Sequence, residues 1–344
     1  MATSARRRRL RRSDCSGPGL RRIRRGRGFV YVDEAGRRID DPQVLARVRD
    51  LAIPPAWREV WICPDPMGHL QATGTDNAGR KQYVYHPRWR ERRDREKFRR
   101  MISFARALPR LRRRVASDLD RDDPSRERIL ACAVRLLDVG LFRIGGEEYA
   151  ENGGGLGLAT IQKQHVKLNN GSVIFDYPAK GGARRIQTIN DAACAGVIRD
   201  LMRRRGSSSE LLAYRNGHHW VPVRSDEIND YLKRHAGEDF SAKDFRTWHA
   251  TVLAATALAA GGGDPQSKAA RRRTINQALQ SVAELLGNTP AVARRAYIDP
   301  RVFDRYLSGH TIPLAPGWDD ADTSPRSWRR LERAVLELLG DGGE

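Results

Sequence analysis

Hydrophobic and polar positions change period along the chain, and the change divides it. Between Phe29 and Pro87 apolar residues fall in short runs broken by turn residues: FVYVDEAGRRI, EVWICPDPMGHLQATG and GRKQYVYHP. Runs of this length, rich in valine, tyrosine and isoleucine, predict a small, mainly antiparallel sheet. Beyond Arg88 the composition shifts to RWRERRDREKFRRMISFARAL, a strongly charged helical stretch expected to end at Pro109 because proline removes a helical donor. A domain boundary is expected near residue 92.

Further on, SRERILACAVRLLDVGL, NDAACAGVIRDLMRRR, TWHATVLAATALAA, RRTINQALQSVAELLG and SWRRLERAVLELLG carry apolar residues at helical spacing. One segment differs. HVKLNNGSVIFDYPAKGGARRIQTI holds two β runs joined by the turn signal Asn170-Gly171, then a second turn at Ala179-Lys180-Gly181-Gly182 before a third run. The run Gly261 to Asp264 reads as a flexible loop between helices. The expectation is an α+β chain: a β-rich domain over residues 28–92, and over residues 93–344 a larger, mostly helical domain with a small embedded sheet.

Composition sharpens the picture. At 344 residues the chain exceeds a usual single domain. With 40% hydrophobic residues, its mean hydropathy of -0.63 reflects abundant charge and not a missing core. Lys and Arg number 63 against 42 Asp and Glu, a net charge of +21, which suits a polyanion, foremost nucleic acid. No apolar run long enough to span a bilayer is present, so no membrane span is expected. The stretch Arg6 to Arg27 is Arg-rich without the apolar region of a signal peptide. It reads as a disordered basic arm over residues 1–27.

Cys15, Cys63, Cys132 and Cys194 show no C-x-x-C spacing, and the histidines form no H-E-x-x-H array. These read as reduced thiols of a cytoplasmic protein, with neither a metal site nor a cofactor.

An enzyme that cuts a phosphodiester without a metal must neutralise charge at phosphorus with fixed cations, and must supply a nucleophile and a leaving-group acid. Arg143 lies among glycines in FRIGGEEYAENGGGLG, where backbone can approach a phosphate closely; taken alone it reads better as a solvated arginine. Lys180 sits in a tight turn between β runs, where it could reach a phosphate or be an ordinary surface lysine. Arg246 opens a helix in SAKDFRTWHATVLAA, a setting suited to phosphate, and a planar fork can grip two oxygens; taken alone it is unremarkable. Tyr297, after Arg294 and Arg295 in LGNTPAVARRAYIDP, reads from composition alone first as a core residue, and otherwise as a phosphate contact or a nucleophile.

Taken in order, FRIGGEEY at Arg143, FDYPAKGG at Lys180, KDFRT at Arg246 and LGNTPAVARRAY ending at Tyr297 resemble the type IB topoisomerases of the poxvirus and bacterial kind, over nearly all of residues 28 to 310. The segment IPPAWREVWICPDPMGHLQATGTDNAGRKQYVYHPRW resembles the DNA-clamping domain of the same family. The resemblance implies a monomer that clamps double-stranded DNA, located in the cytoplasm with the nucleoid, and attack by Tyr297 to give a 3′-phosphotyrosyl link without ATP or metal. Arg143 and Arg246 would stabilise the phosphorane-like state and Lys180 would protonate the leaving 5′-oxygen. It also implies DNA contacts at Gln82, Tyr83, Tyr85 and Tyr149, with Lys243 a further one.

The chain departs from poxvirus members at two positions. Asn288 stands where they carry a catalytic histidine, as in many bacterial members. An amide can donate to a phosphate oxygen but carries no charge. Gly146 replaces a DNA-contacting lysine. A tyrosine recombinase, which shares the catalytic domain, is the rival reading; it would usually show His-x-x-Arg, where this chain has Lys243-Asp-Phe-Arg246.

Overall fold

A computed structural model describes residues 9–151, 153–205, 209–261, 267–315 and 324–340, and of Tyr149 the backbone alone. The loop expected at Gly261 to Asp264 therefore lies, beyond Gly261, outside the described residues. The chain divides into two compact units between Lys97 and Phe98.

In the first unit five strands, β1 (Leu20–Arg25), β2 (Gly28–Val32), β3 (Arg58–Ile62), β4 (Leu70–Thr75) and β5 (Lys81–Tyr85), pair antiparallel in the order β2-β1-β3-β4-β5. Helix α1 (Pro42–Asp50) was not evident from the pattern. It starts where the Asp41 carboxylate accepts from the Gln43 and Val44 amides and Pro42 presets the first turn. Its Val48 joins Leu20, Val60, Ile62 and Ala72 in the core of this unit.

The basic arm expected as far as Arg27 is corrected here. Residues 1–8 lie outside the described residues, but Leu20–Arg25 form a paired strand. Leu20 is buried, and on the same strand face Arg22 donates to the carbonyls of Ile53, Pro54 and Trp57 at 3.1, 2.9 and 2.8 Å and lies over the Phe29 ring. Arginine can serve a strand when its stem packs and its head finds carbonyls.

Helix α2 (Pro87–Leu119) runs through Pro109, where the sequence predicted an end. An interior proline costs about 3 kcal/mol. Beyond it, however, Leu111, Val115 and Leu119 are buried on one face, each stabilising by roughly 1.5–3 kcal/mol, so continuing the helix wins.

The second unit continues with α3 (Arg126–Gly140), α4 (Glu147–Glu151), β6 (Val166–Asn169), β7 (Ser172–Pro178), β8 (Arg184–Ile189), α5 (Ala192–Arg203), β9 (Ala213–Asn216), β10 (His219–Pro222), α6 (Ser225–Ala236), α7 (Ala242–Ala260), α8 (Lys268–Leu286), α9 (Pro290–Ala296), α10 (Pro300–Leu307) and α11 (Pro325–Gly340). The embedded sheet is three-stranded, β6-β7-β8. Asn170 and Gly171 make its first turn at φ 43 and 86°. The hairpin β9–β10, around Gly217, was not foreseen. The fold is thus α+β, as the hydrophobic pattern predicted. No helix among the described residues is long and apolar enough to cross a membrane.

Helix α7 is the axis of this unit. Its alanines let neighbours approach, and Phe245, Trp248, Ala250, Val252 and Leu258 are all buried. Beneath it lies an ionic network. Arg112 grips Asp138 at 2.8 Å and Glu332 at 2.5 and 2.9 Å, His249 Nε2 lies 3.0 Å from Asp138, and the Trp248 and Trp328 indoles donate to Glu332. Each buried charge has an opposite partner, which its desolvation demands.

Candidate active site

Arg143 follows α3, which ends at Leu141 in a left-handed conformation (φ 53°). That turn puts Phe142 into the core and leaves Arg143 at the surface of the site. Two positions along, Gly145 packs against Gly157 so closely that a Cβ on Gly145 would stand 2.7 Å from the Gly157 Cα. The glycines of this segment bring two strands of backbone into contact. Residues 156–159 then bridge two functional segments: the Leu158 and Ala159 amides donate to the carbonyls of Arg143 and Ile144, and the Leu156 amide donates to Pro178, all at 2.8 Å.

Pro178 leads into the Ala179–Ala183 turn that carries Lys180. Gly181 and Gly182 take φ of 79 and 77°, and the Ala179 amide donates to the Ala183 carbonyl at 2.8 Å. Lys180 is exposed at the hairpin tip.

Arg246, in the second turn of α7, is only 3% exposed. Its Nη1 donates to the Leu141 carbonyl and its Nη2 to Leu286 at 2.8 Å. Its guanidinium carbon lies 5.0 Å from the centre of the Tyr297 ring. Burial pushes this guanidinium down to about 10, Tyr297 raising it and Arg143 lowering it, so it remains charged at neutral pH.

Tyr297 closes α9, where its amide donates to Ala293 at 3.0 Å. Burial raises its phenol, but the charges of Arg246, Arg143 and Lys243 outweigh that effect, so its pKa falls below the ordinary 10. A phenol held this way ionises more readily, as a nucleophile requires. Lys243, expected as a DNA contact, is exposed on the first turn of α7 within electrostatic reach of this phenol.

Asn288 follows the left-handed Gly287 (φ 59°) that ends α8. Its Oδ1 accepts from Arg143 Nη2 at 2.6 Å, while its Nδ2 is buried with no protein partner among the described residues. Arg246 Nε is a second buried donor of that kind. Buried donors without partners are costly, and an anionic oxygen would satisfy both.

The last carbonyls of α8 tie the arrangement together. Leu285, Leu286 and Gly287 accept from Arg185 at 2.7 Å, Arg246 at 2.8 Å and Arg143 at 3.0 Å. A helix C-terminus leaves such carbonyls unsatisfied and carries partial negative charge, so it can gather cations. Arg185 and its neighbour Tyr177 escaped the sequence analysis. Tyr177 is buried on β7, and burial raises its phenol against the opposing charges of Arg185, Arg143 and Arg246. The signal was there in the alternation of β8, where Arg185 and Gln187 face inward and Arg184 and Ile186 outward.

The remaining expected DNA contacts lie elsewhere. Gln82, Tyr83 and Tyr85 are on β5 of the first unit. Gln82 donates to Asp76 at 2.9 Å, and Tyr83, 45% exposed, stacks on Tyr85 with ring centres 6.0 Å apart. Tyr149 belongs to α4, and its side chain lies outside the described residues.

Residues 86–306 match the family model for the catalytic core of eukaryotic DNA topoisomerase I, and residues 28–76 match that for the N-terminal domain of bacterial DNA topoisomerase IB. The chain is 29% identical over 287 residues to the DNA topoisomerase 1B of Acanthamoeba polyphaga mimivirus, which covers 81% of this chain and 85% of that protein. With the catalytic-core match spanning well over half of its length, the chain belongs to the type IB DNA topoisomerase family and is a DNA topoisomerase.

Proposed function

We propose that this enzyme relaxes supercoiled DNA by cutting one strand through Tyr297, letting the duplex rotate, and resealing it, with neither ATP nor a metal ion in the chemistry. The Tyr297 phenol loses its proton to solvent, and its oxygen attacks the phosphorus. The bond to the 5′-oxygen breaks, and Lys180 delivers a proton to that oxygen. A 3′-phosphotyrosyl diester and a free 5′-hydroxyl result, one phosphodiester having replaced another, so the reverse step reseals the strand without outside energy.

Arg143 and Arg246 stabilise the charge that develops on the phosphoryl oxygens, and the Asn288 amide adds a neutral donor. The single observation that carries this reading is Arg246 against the Tyr297 ring at 5.0 Å, with the phenol depressed below its ordinary value. The pairing of a buried cation with an acidified phenol is what an activated tyrosine needs. Gln82, Tyr83 and Tyr85 on β5, with Lys243 and Tyr149, hold the duplex, and the protein works as a monomeric clamp on nucleoid DNA.

The test is relaxation of a plasmid by purified protein in EDTA without ATP. Both positive and negative supercoils are expected to be removed. An absolute requirement for Mg²⁺ or ATP would overturn the mechanism.

A further inference from the structure

Arg185 is the one arginine on the end of α8 to which the proposed chemistry gives no work. Its environment is built. Strand β8 pairs Arg185 with Tyr177 on β7, two pairs from the turn that carries Lys180: Tyr177 with Arg185, then Pro178 with Arg184. From that position Nη2 donates to the Leu285 carbonyl at 2.7 Å and Nε donates to Gln187 Oε1 at 2.6 Å. Gln187 in turn donates to the carbonyl of Gly140 at 3.2 Å, beside the Leu141 carbonyl that holds Arg246. Gly287 leaves room for the guanidinium, since a Cβ there would lie 2.7 Å from Arg185 Nη1.

Neighbouring Arg184 does something else. It pairs with Asp176 at 2.6 Å on the solvent side of the hairpin, with its side chain 72% exposed. Two adjacent arginines thus split between the surface and the site.

We propose that Arg185 is a positioning residue that locks the hairpin bearing Lys180 to the end of α8, where Arg143, Arg246 and Asn288 are held. The inference rests on the reading of Lys180 as the acid for the leaving oxygen. A lysine at the tip of a hairpin acts as an acid only if the hairpin stands still relative to the phosphate, and the phosphate is held by groups fixed on α8. Arg185 makes the hairpin and α8 one piece. The distance from its strand position to the turn is about two residue rises, roughly 7 Å, short enough that a loosened anchor displaces the tip.

The prediction is specific to the leaving group. A misplacement of about 1 Å costs about 10²-fold in rate, so Arg185→Ala is expected to slow single-turnover cleavage about that much on ordinary DNA. On DNA carrying sulfur in place of the 5′-bridging oxygen at a mapped cleavage site, the departing thiolate needs no proton, and the defect is expected to vanish. Arg185→Lys keeps the charge but not the fork, and is expected to behave in the same way with a smaller defect. Thermal melting and affinity for uncleaved DNA in a Tyr297→Phe background check that both variants fold and bind.

Lys180→Ala provides the reference. If Lys180→Ala is restored by sulfur and the Arg185 variants are not, or if they cleave ordinary DNA at the wild-type rate, the Arg185 inference is overturned while the role of Lys180 stands. If Lys180→Ala itself is not restored, Lys180 is not the acid and both ideas fall together.

Discussion

Arg143 Nη2 donates to Asn288 Oδ1 at 2.6 Å, and this bond fixes which end of the amide is left to donate. The oxygen is occupied by the arginine, while the buried Nδ2 has no protein partner among the described residues. In the proposed mechanism this amide donates where relatives carry a histidine.

Substitutions at Asn288 follow from that orientation. Asn288→Ala removes one transition-state donor and is expected to slow single-turnover cleavage by about 10²–10³. Asn288→His, which restores a ring donor, is expected to keep substantial activity. Asn288→Asp is expected to be slower than alanine, because a carboxylate 2.6 Å from Arg143 would neutralise it and repel the phosphate. Aspartate cleaving as fast as asparagine would show that the amide nitrogen does nothing.

The phenol of Tyr297 makes a prediction in pH. Its pKa is held below 10 because Arg246, Arg143 and Lys243 outweigh burial, and in the proposed mechanism the ionised form attacks. Cleavage of the sulfur-substituted DNA, which needs no acid, is expected to rise with pH and level off below pH 10. Arg246→Gln removes the nearest cation, so the phenol's pKa rises and the ascending limb moves to higher pH. A limb that stays in place in Arg246→Gln would separate Arg246 from activation of the nucleophile.

Stability has its own signature at acid pH. Arg112 and His249 overcome the burial of Asp138 and hold its carboxylate far below the ordinary 3.8. A depressed carboxylate contributes stability that is present above the unfolded value and lost as pH falls through the folded one, so this contribution should persist well below pH 3.8. Asp138→Ala removes one of the two carboxylates on Arg112 and the partner of His249, leaving the Arg112–Glu332 pair, and is expected to cost about 1–3 kcal/mol, read as a lower urea midpoint. An unchanged midpoint would mean the network carries no net stability.

Much of this was legible in the sequence, and the failures have physical reasons. The turn at Asn170-Gly171 announced itself because only residues that tolerate positive φ fit it. Arg143, Lys180, Arg246 and Tyr297 are each unremarkable alone and became candidates through the ordered resemblance of their segments to the family, and Asn288 through that resemblance only. Helix α1 is short, and its start at Asp41-Pro42 lies between β-rich runs that hide it. Pro109 misled because burial beyond it outweighs the broken hydrogen bond. Of Arg184 and Arg185, composition cannot say which faces the site; the strand register decides, and it becomes visible only once β7 and β8 are paired.

The glycines near the site give a stringent steric prediction. Gly155 has a φ of 92°, and a Cβ there would stand 2.3 Å from the Ala179 carbonyl oxygen, next to Lys180. Gly155→Ala is expected to destabilise by about 1–3 kcal/mol and to slow cleavage of ordinary DNA more than of sulfur-substituted DNA, since it displaces the turn that carries Lys180, the proposed acid. Equal slowing on both would place its effect elsewhere.

The central claim is that Tyr297 becomes covalently joined to DNA, and it can be examined directly. A DNA that loses its short downstream strand after cleavage should trap the 3′-linked adduct, and mass spectrometry of the digested complex should find the modification on Tyr297. Tyr297→Phe removes one oxygen atom and little packing, so it should fold and bind DNA yet form no adduct. An adduct mapped to another residue, or formed by the Tyr297→Phe protein, would contradict the account.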